Sequence, residues 1–145
     1  MSKQVVLRSD YFCIEELTTR WMDNDIYGHV NNVIYYSYFD TIANCFLIDK
    51  AGLDIHFSEV VGYMVKSDCN YVASISYPDK ICGAFRVNRI GNSSVEYGVA
   101  IFKDGRENAC AYGTMTHVFV NRHTEQPTKI SGQLLEALQS AFIKP

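Results

Sequence analysis

Residues 31–51 read as one helix with very little polar surface. Asn31 is a favourable N-cap, and Gly52, after Lys50 and Ala51, is a favourable stop. Between them Ser37, Asp40, Thr41 and Asn44 recur at i, i+3, i+4 and i+7 and form one narrow polar stripe. Tyr35, Tyr36, Tyr38, Phe39, Ile42, Ala43, Cys45, Phe46 and Leu47 fill the remaining circumference. A helix apolar on nearly all sides is one enclosed by its own protein. The rest of the chain must supply a surface that curls around it.

The remaining pattern is that of strands. Residues 12–21 alternate imperfectly, with Phe12, Ile14 and Glu16 against Cys13, Glu15 and Leu17. After residue 58 the period changes from helical to two. Residues 60–77 are rich in Val, Ile and Tyr and end at Pro78-Asp79; residues 83–90 place Phe85 and Val87 on one face and lose alternation before Gly91-Asn92. Residues 94–103 point Val95, Tyr97, Val99 and Ile101 inward, and Asp104-Gly105 is a strong hairpin signal before a strand over 107–120. Residues 130–142 close the chain as a short amphipathic helix carrying Leu134, Leu135, Leu138 and Phe142. One strand, one enveloped helix and a four-strand meander make an α+β fold in which a curled antiparallel sheet wraps one long central helix.

Composition narrows the function. At 145 residues the chain makes a single domain, 1–145, and a net charge of −3 gives a nucleic-acid partner no electrostatic footprint. The first residues lack the apolar core of a signal peptide, and no apolar run approaches the roughly 20 residues of a membrane span, so a cytoplasmic protein is expected. The five cysteines are scattered, with no CxxC spacing, and read as small hydrophobes in a reducing compartment. His56, His117 and His123 show no metal-ligand spacing with one another or with a cysteine.

The chemistry concentrates in RWMDNDIYGHVNNVIYYSYF, residues 20–39. Two carboxylates, Asp23 and Asp25, stand in a polar loop just before the helix. A carboxylate beside the positive end of a buried helix activates water while the helix amides hold a developing negative charge. The alternatives for this loop are weaker. An EF-hand beginning at Asp23 would put Tyr27 at the fifth position and Ile34 at the twelfth, so two ligands are missing. Ser93 and Ser94 lack the Gly-x-Ser-x-Gly elbow of a serine hydrolase. Asn92-Ser93-Ser94 matches a glycosylation sequon formally, without a secretory signal to give it meaning. Turn-capping is the bland role for either aspartate, and holding the loop in place is the bland role for His29.

RWMDNDIYGHVNNVIYYSYFD resembles the N-terminal motif of the 4-hydroxybenzoyl-CoA thioesterase-like family of the hotdog-fold superfamily, in which an aromatic-x-Asp-x-Asp-x-x-Gly stretch precedes a central helix. YPDKICGAFRVNRIGNSSVEYGVAIF resembles its Gly-x-Ser-Ser strand pair, and FVNRHTEQPTKIS its closing strand, so the likeness spans about residues 12–140. The resemblance implies a hotdog fold, hydrolysis of acyl-CoA thioesters without metal or other cofactor, and assembly as a homodimer or homotetramer. It places the catalytic carboxylate on Asp25, the carbonyl-polarising main-chain N–H on Asn32, a substrate-side aromatic on Tyr35 and a structural aspartate on Asp23. His29 and Asn31 match its Gly-His-Val-Asn-Asn variant. Some related thioesterases carry a histidine partner where this chain has Asn32, which leaves His29 as a secondary catalytic candidate.

A substrate carrying coenzyme A brings phosphates, which arginine forks suit. Arg86, Arg89 and Arg122, on or beside the late strands, are the candidate ligands, against the bland role of solvated strand surface. The expected function is therefore an acyl-CoA or acyl-carrier-protein thioesterase. A hotdog hydratase or dehydratase using His29 is one rival, though it needs a second acid, for which the helix offers only Asp40 and Asp49. A non-catalytic acyl-CoA-binding module is the other, since fold does not dictate function.

Overall fold

The computed structural model describes residues 5–144. Six strands form one antiparallel sheet: β1 (Cys13–Thr18), β2 (Val60–Ser67), β3 (Asn70–Tyr71), β4 (Lys80–Ile90), β5 (Ser94–Lys103) and β6 (Ala111–Asn121). Their spatial order is β1-β4-β5-β6-β2, with β3 also pairing to β6. Helix α1 (Ile34–Asp49) lies on one face of the sheet, and α2 (Gly132–Ser140) packs near β4. This is the α+β hotdog arrangement that the resemblance implies.

The core lies between α1 and the sheet. Phe39, Ile42, Ala43, Phe46 and Leu47 are buried with Phe85, Val87, Val95, Tyr97, Val99, Ile101, Met115 and Phe119. Phe46 stacks on Phe85 with ring centroids 4.5 Å apart. Gly83 makes the close approach possible, because a Cβ there would collide with the Ile42 side chain. Burying this aromatic and branched surface is the main force holding helix to sheet. His117 is a core histidine, sharing a 3.0 Å hydrogen bond through Nδ1 with the buried Tyr97 hydroxyl. Burial pushes its pKa down, a shift the nearby Asp40 carboxylate partly opposes.

The opposite face of the sheet carries a smaller apolar cluster of Val6, Ala84, Ala100, Phe102 and Ala109. The N-terminal segment covers it. Arg8 stacks over the Phe102 ring at 4.9 Å and donates to the Lys103 and Arg106 carbonyls.

Four elements differ from the sequence reading. First, α1 begins three residues after Asn31. Asn31 instead closes an Asx-type turn, its Oδ1 accepting from the Val33 N–H at 3.1 Å and its carbonyl from the Ile34 N–H at 2.9 Å. The stop at Gly52 is as expected, with φ +68°. Second, the curled sheet leaves part of α1 uncovered. Val33, Tyr36 and Ile48 remain exposed beside the polar stripe.

Third, the strand expected over 60–77 breaks at Asp68. Its carboxylate accepts from both the Thr114 N–H and the Thr114 hydroxyl, and its backbone sits over Gly113 where no Cβ would fit. After β3, residues 72–79 leave the sheet. Fourth, Phe142 lies beyond the end of α2 and is exposed. There the chain runs beside β4, with Val87 N–H donating to the Ala141 carbonyl and Ile143 N–H to the Val87 carbonyl. That contact falls at the β4 bulge between Val87 and Arg89, where the sequence had lost its alternation.

Candidate active site

The loop between β1 and α1 is organised around Asp23, whose side chain is fully buried. Its carboxylate accepts from the Arg20 N–H at 2.9 Å, the Arg20 guanidinium at 3.0–3.1 Å and the Tyr38 hydroxyl at 2.7 Å. Burial alone would raise its pKa. The hydrogen bonds from Tyr38 and Arg20, with the Arg20 charge, outweigh burial and hold it below the usual carboxylate value. Its carbonyl accepts from the Asn31 N–H at 2.9 Å, so Asp23 ties both ends of the loop to the helix. No lone pair is left for a calcium ion in such an arrangement. Among the described residues, no three His, Cys, Asp or Glu side chains are grouped to hold a metal.

Asp25 is in a different state. One carboxylate oxygen accepts from the Tyr27 N–H at 2.9 Å, and the other has no hydrogen bond among the described residues. A tight turn presents it: Asp25 N–H donates to the His29 carbonyl, Gly28 N–H to the Asp25 carbonyl, and Gly28 has φ +80°. His29 is exposed, and its main chain rather than its ring shapes this turn.

Asn32 follows at the start of the α1 turn. The amides around it are engaged: Asn31 N–H with the Asp23 carbonyl, Val33 N–H with Asn31 Oδ1 and Ile34 N–H with the Asn31 carbonyl. The Asn32 carbonyl accepts from the Tyr71 hydroxyl at 3.0 Å. The Asn32 N–H has no acceptor among the described residues. Beside it is a cavity of about 260 Å³, lined by Val30, Asn32, Tyr35, Tyr71, Val72, Ala73 and Ser74. Tyr35 is buried there, its ring meeting Tyr71 edge-on at 5.1 Å, and burial pushes its pKa up to about 12.

The departed segment 72–79 braces the site. Val30 N–H donates to the Ile75 carbonyl at 2.7 Å, and Tyr77 N–H to Asn24 Oδ1 at 3.0 Å. Tyr71 and this segment are the site elements missed in the sequence; one more tyrosine in an apolar run carries no signal of its own. A larger cleft of about 640 Å³ lies between β1 and the start of β4, lined by residues including Arg8, Glu16, Lys80 and Cys82, and holds none of the expected site residues.

The three arginines do not converge. Arg86 donates to the Asp10 and Ile143 carbonyls, and Arg122 to the Ser58 and Ile55 carbonyls at 2.7 and 2.8 Å. Arg89 is exposed, and no hydrogen bond or ion pair engages it among the described residues. Arg86→Ala and Arg122→Ala should therefore act on stability. Hydrogen bonds from a charged group are worth about 1.5–3 kcal/mol each, so both variants should lower Tm by several degrees, read by thermal denaturation, with KM little changed.

The architecture is thus a hotdog domain with a presented carboxylate on the loop before α1 and, at Asn32, a residue that lines an apolar cavity. A model of the thioesterase-like superfamily matches residues 19–138, and the chain belongs to that family of thioester hydrolases. The PA5185 protein of Pseudomonas aeruginosa strain PAO1 is 47% identical, with 96% of this chain and 97% of that chain covered and a TM-score of 0.94. A DHNA-CoA thioesterase of Staphylococcus aureus is 22% identical, with 88% and 86% covered and a TM-score of 0.75. A thioesterase of Thermus thermophilus complexed with coenzyme A and Zn is 19% identical, with 89% and 98% covered and a TM-score of 0.75. The comparison with curated proteins finds no match. No helix among the described residues is long and apolar enough to cross a membrane.

Proposed function

We propose that this protein is an acyl-CoA thioesterase in which Asp25 acts on the thioester carbonyl and the Asn32 N–H receives the oxyanion. One observation carries the reading: Asn32 offers an amide without an acceptor at the edge of an apolar cavity, while the amides around it are all engaged. A donor fixed before the reaction costs no reorganisation when charge develops, and one such donor is typically worth ~2.7–4 kcal/mol of barrier. Asp25, on the same loop, keeps a carboxylate oxygen without a hydrogen bond among the described residues. It takes a proton from water, or attacks the carbonyl itself to give a mixed anhydride. In either route the C–S bond breaks as the tetrahedral intermediate collapses and the thiolate of coenzyme A leaves, taking its proton from the attacking water by way of Asp25 or from solvent. In the second route water then hydrolyses the anhydride and frees Asp25. No metal or other cofactor has a part in this reading.

Coenzyme A is the proposed carrier, as in the Thermus thermophilus thioesterase complex. Of the three expected arginines, Arg89 is the one without a hydrogen bond or ion pair among the described residues, and it is the proposed phosphate ligand. The proposed assembly is a homodimer or homotetramer. Strand β2 leaves one edge of the sheet unpaired, with Tyr63, Met64 and Val65 exposed on it, and Trp21, Met22, Ile26 and Tyr27 stand exposed on the site loop. The cavity is also small beside the roughly 300–1,000 Å³ of ligand pockets, which suits completion by a second copy.

The test is a hydrolysis screen across aliphatic and aromatic acyl-CoA thioesters with detection of free thiol, on a preparation sized by light scattering. Thiol release above background from an assembly no smaller than a dimer is expected. Enoyl hydration without hydrolysis would replace this reading with the hydratase one, and binding without turnover would leave only an acyl-CoA-binding module.

A further inference from the structure

We propose that Tyr71 is the positioning residue for the oxyanion donor: its hydroxyl holds the Asn32 carbonyl and so fixes where the turn that carries the Asn32 N–H sits against the sheet. The inference rests on the thioesterase reading and assigns a role to a residue outside the loop motif.

The geometry is specific. A backbone N–H lies in the peptide plane it shares with the preceding carbonyl, and the next plane fixes where its residue sits. Upstream of Asn32, the Asn31 carbonyl is held by the Ile34 N–H, and the Asn31 side chain by the Val33 N–H. Downstream, the peptide between Asn32 and Val33 is held at both poles, its N–H by Asn31 Oδ1 and its C=O by Tyr71 Oη. The other bonds of this turn are short-range and move with it. The Tyr71 bond spans 39 residues in sequence and ties the turn to the sheet.

Tyr71 is itself well anchored. It lies on β3 opposite Ala111 of β6, and the neighbouring Asn70 side chain donates to the Tyr112 carbonyl at 3.2 Å. Its ring is braced edge-on by Tyr35. Burial, with the Cys69 thiol and the Tyr36 hydroxyl beside it, pushes the pKa of its hydroxyl up. One hydroxyl therefore joins β3 to the turn before α1 whose Asn32 lines the cavity. With that bond lost, the turn is released from β3 and the residue that carries the N–H shifts with it. A donor displaced by about 1 Å from its working position loses as much as ~100-fold in rate.

Tyr71→Phe keeps the ring that walls the cavity and removes only the hydroxyl. Its kcat on the best thioester should fall roughly tenfold, the usual worth of one hydrogen bond acting through geometry, with KM little changed. Tyr71→Leu removes the wall as well and should raise KM in addition. A spectroscopic reading separates positioning from packing. As a non-hydrolysable ketone analogue of acyl-CoA is added, the Asn32 amide proton should move downfield in the wild type and distinctly less in Tyr71→Phe. Tyr71→Phe with wild-type kcat overturns the inference, while the thioesterase reading stands on the wild-type rate. A lower kcat with an unaltered Asn32 shift assigns Tyr71 to packing and also overturns it. Wild-type protein that hydrolyses no thioester overturns the thioesterase reading, and this inference with it.

Discussion

Asp25→Asn is expected to yield a folded, assembled protein whose kcat on its best acyl-CoA falls by roughly 10²–10⁴, the worth of a general base. The fall is larger if the carboxylate is the nucleophile. The structure explains why the loss should be chemical rather than structural. The bond that shapes the turn is accepted by Asp25 Oδ1 from the Tyr27 N–H, and the amide oxygen of asparagine accepts it equally well. What disappears is the basicity of the oxygen that the protein leaves unbonded. His29→Ala, measured alongside, should change kcat far less, because His29 shapes the turn through its carbonyl. Steady-state kinetics with free-thiol detection decides both. Wild-type turnover by folded Asp25→Asn would remove the carboxylate from the mechanism.

Asp23→Ala should show the reverse profile, with a large loss of stability and loop order. Arg20 keeps 59% of its side chain in solvent and rehydrates when its partner is gone, so it contributes little to the loss. The Tyr38 hydroxyl has no such escape and is stranded in the core, at about 1–3 kcal/mol. Denaturant unfolding should show this drop, and Tyr38→Phe in the Asp23→Ala background should recover part of it. The pH dependence has a definite sign. The folded Asp23 carboxyl is held below its unfolded value, so the folded state binds fewer protons in acid. Its contribution is complete above about pH 4 and is lost as pH falls through the lower folded value. An acid-unfolding curve of Asp23→Asn should lack that component.

Much of this fold was legible because its signals are local and periodic. Val95, Tyr97, Val99 and Ile101 announced β5 by period two, and Gly52 with its positive φ ended the helix where a stop was expected. The carboxylate loop was legible as a motif, including the division between a structural Asp23 and a presented Asp25. The site's remaining parts depend on pairings across the chain that no periodicity carries. Arg122 reads as a strand-end cation, yet its guanidinium holds carbonyls 64 to 67 residues away. Tyr71 reads as one more β-favouring aromatic, and nothing in residues 60–77 reveals that Asp68 will break the strand by binding Thr114. The exposed side of α1 was hidden for another reason. Hydrophobicity reports what must be covered, without telling whether the same chain or another copy does the covering.

Arg86 has a consequence for how the domain loosens. One guanidinium clasps the carbonyl of Asp10 near the start of the described chain and that of Ile143 near its end. The first segment shields the apolar patch around Phe102, and the second extends the ladder at the β4 bulge. Chain ends ordinarily fray independently, each at little free-energy cost. Here, when one end lifts, the shared cation loses a partner and its grip on the other slackens. The segments around Asp10 and Ile143 are therefore expected to loosen as one cooperative unit, so that disorder entering at one reaches the other without first disturbing α1 or the loop that carries Asp25.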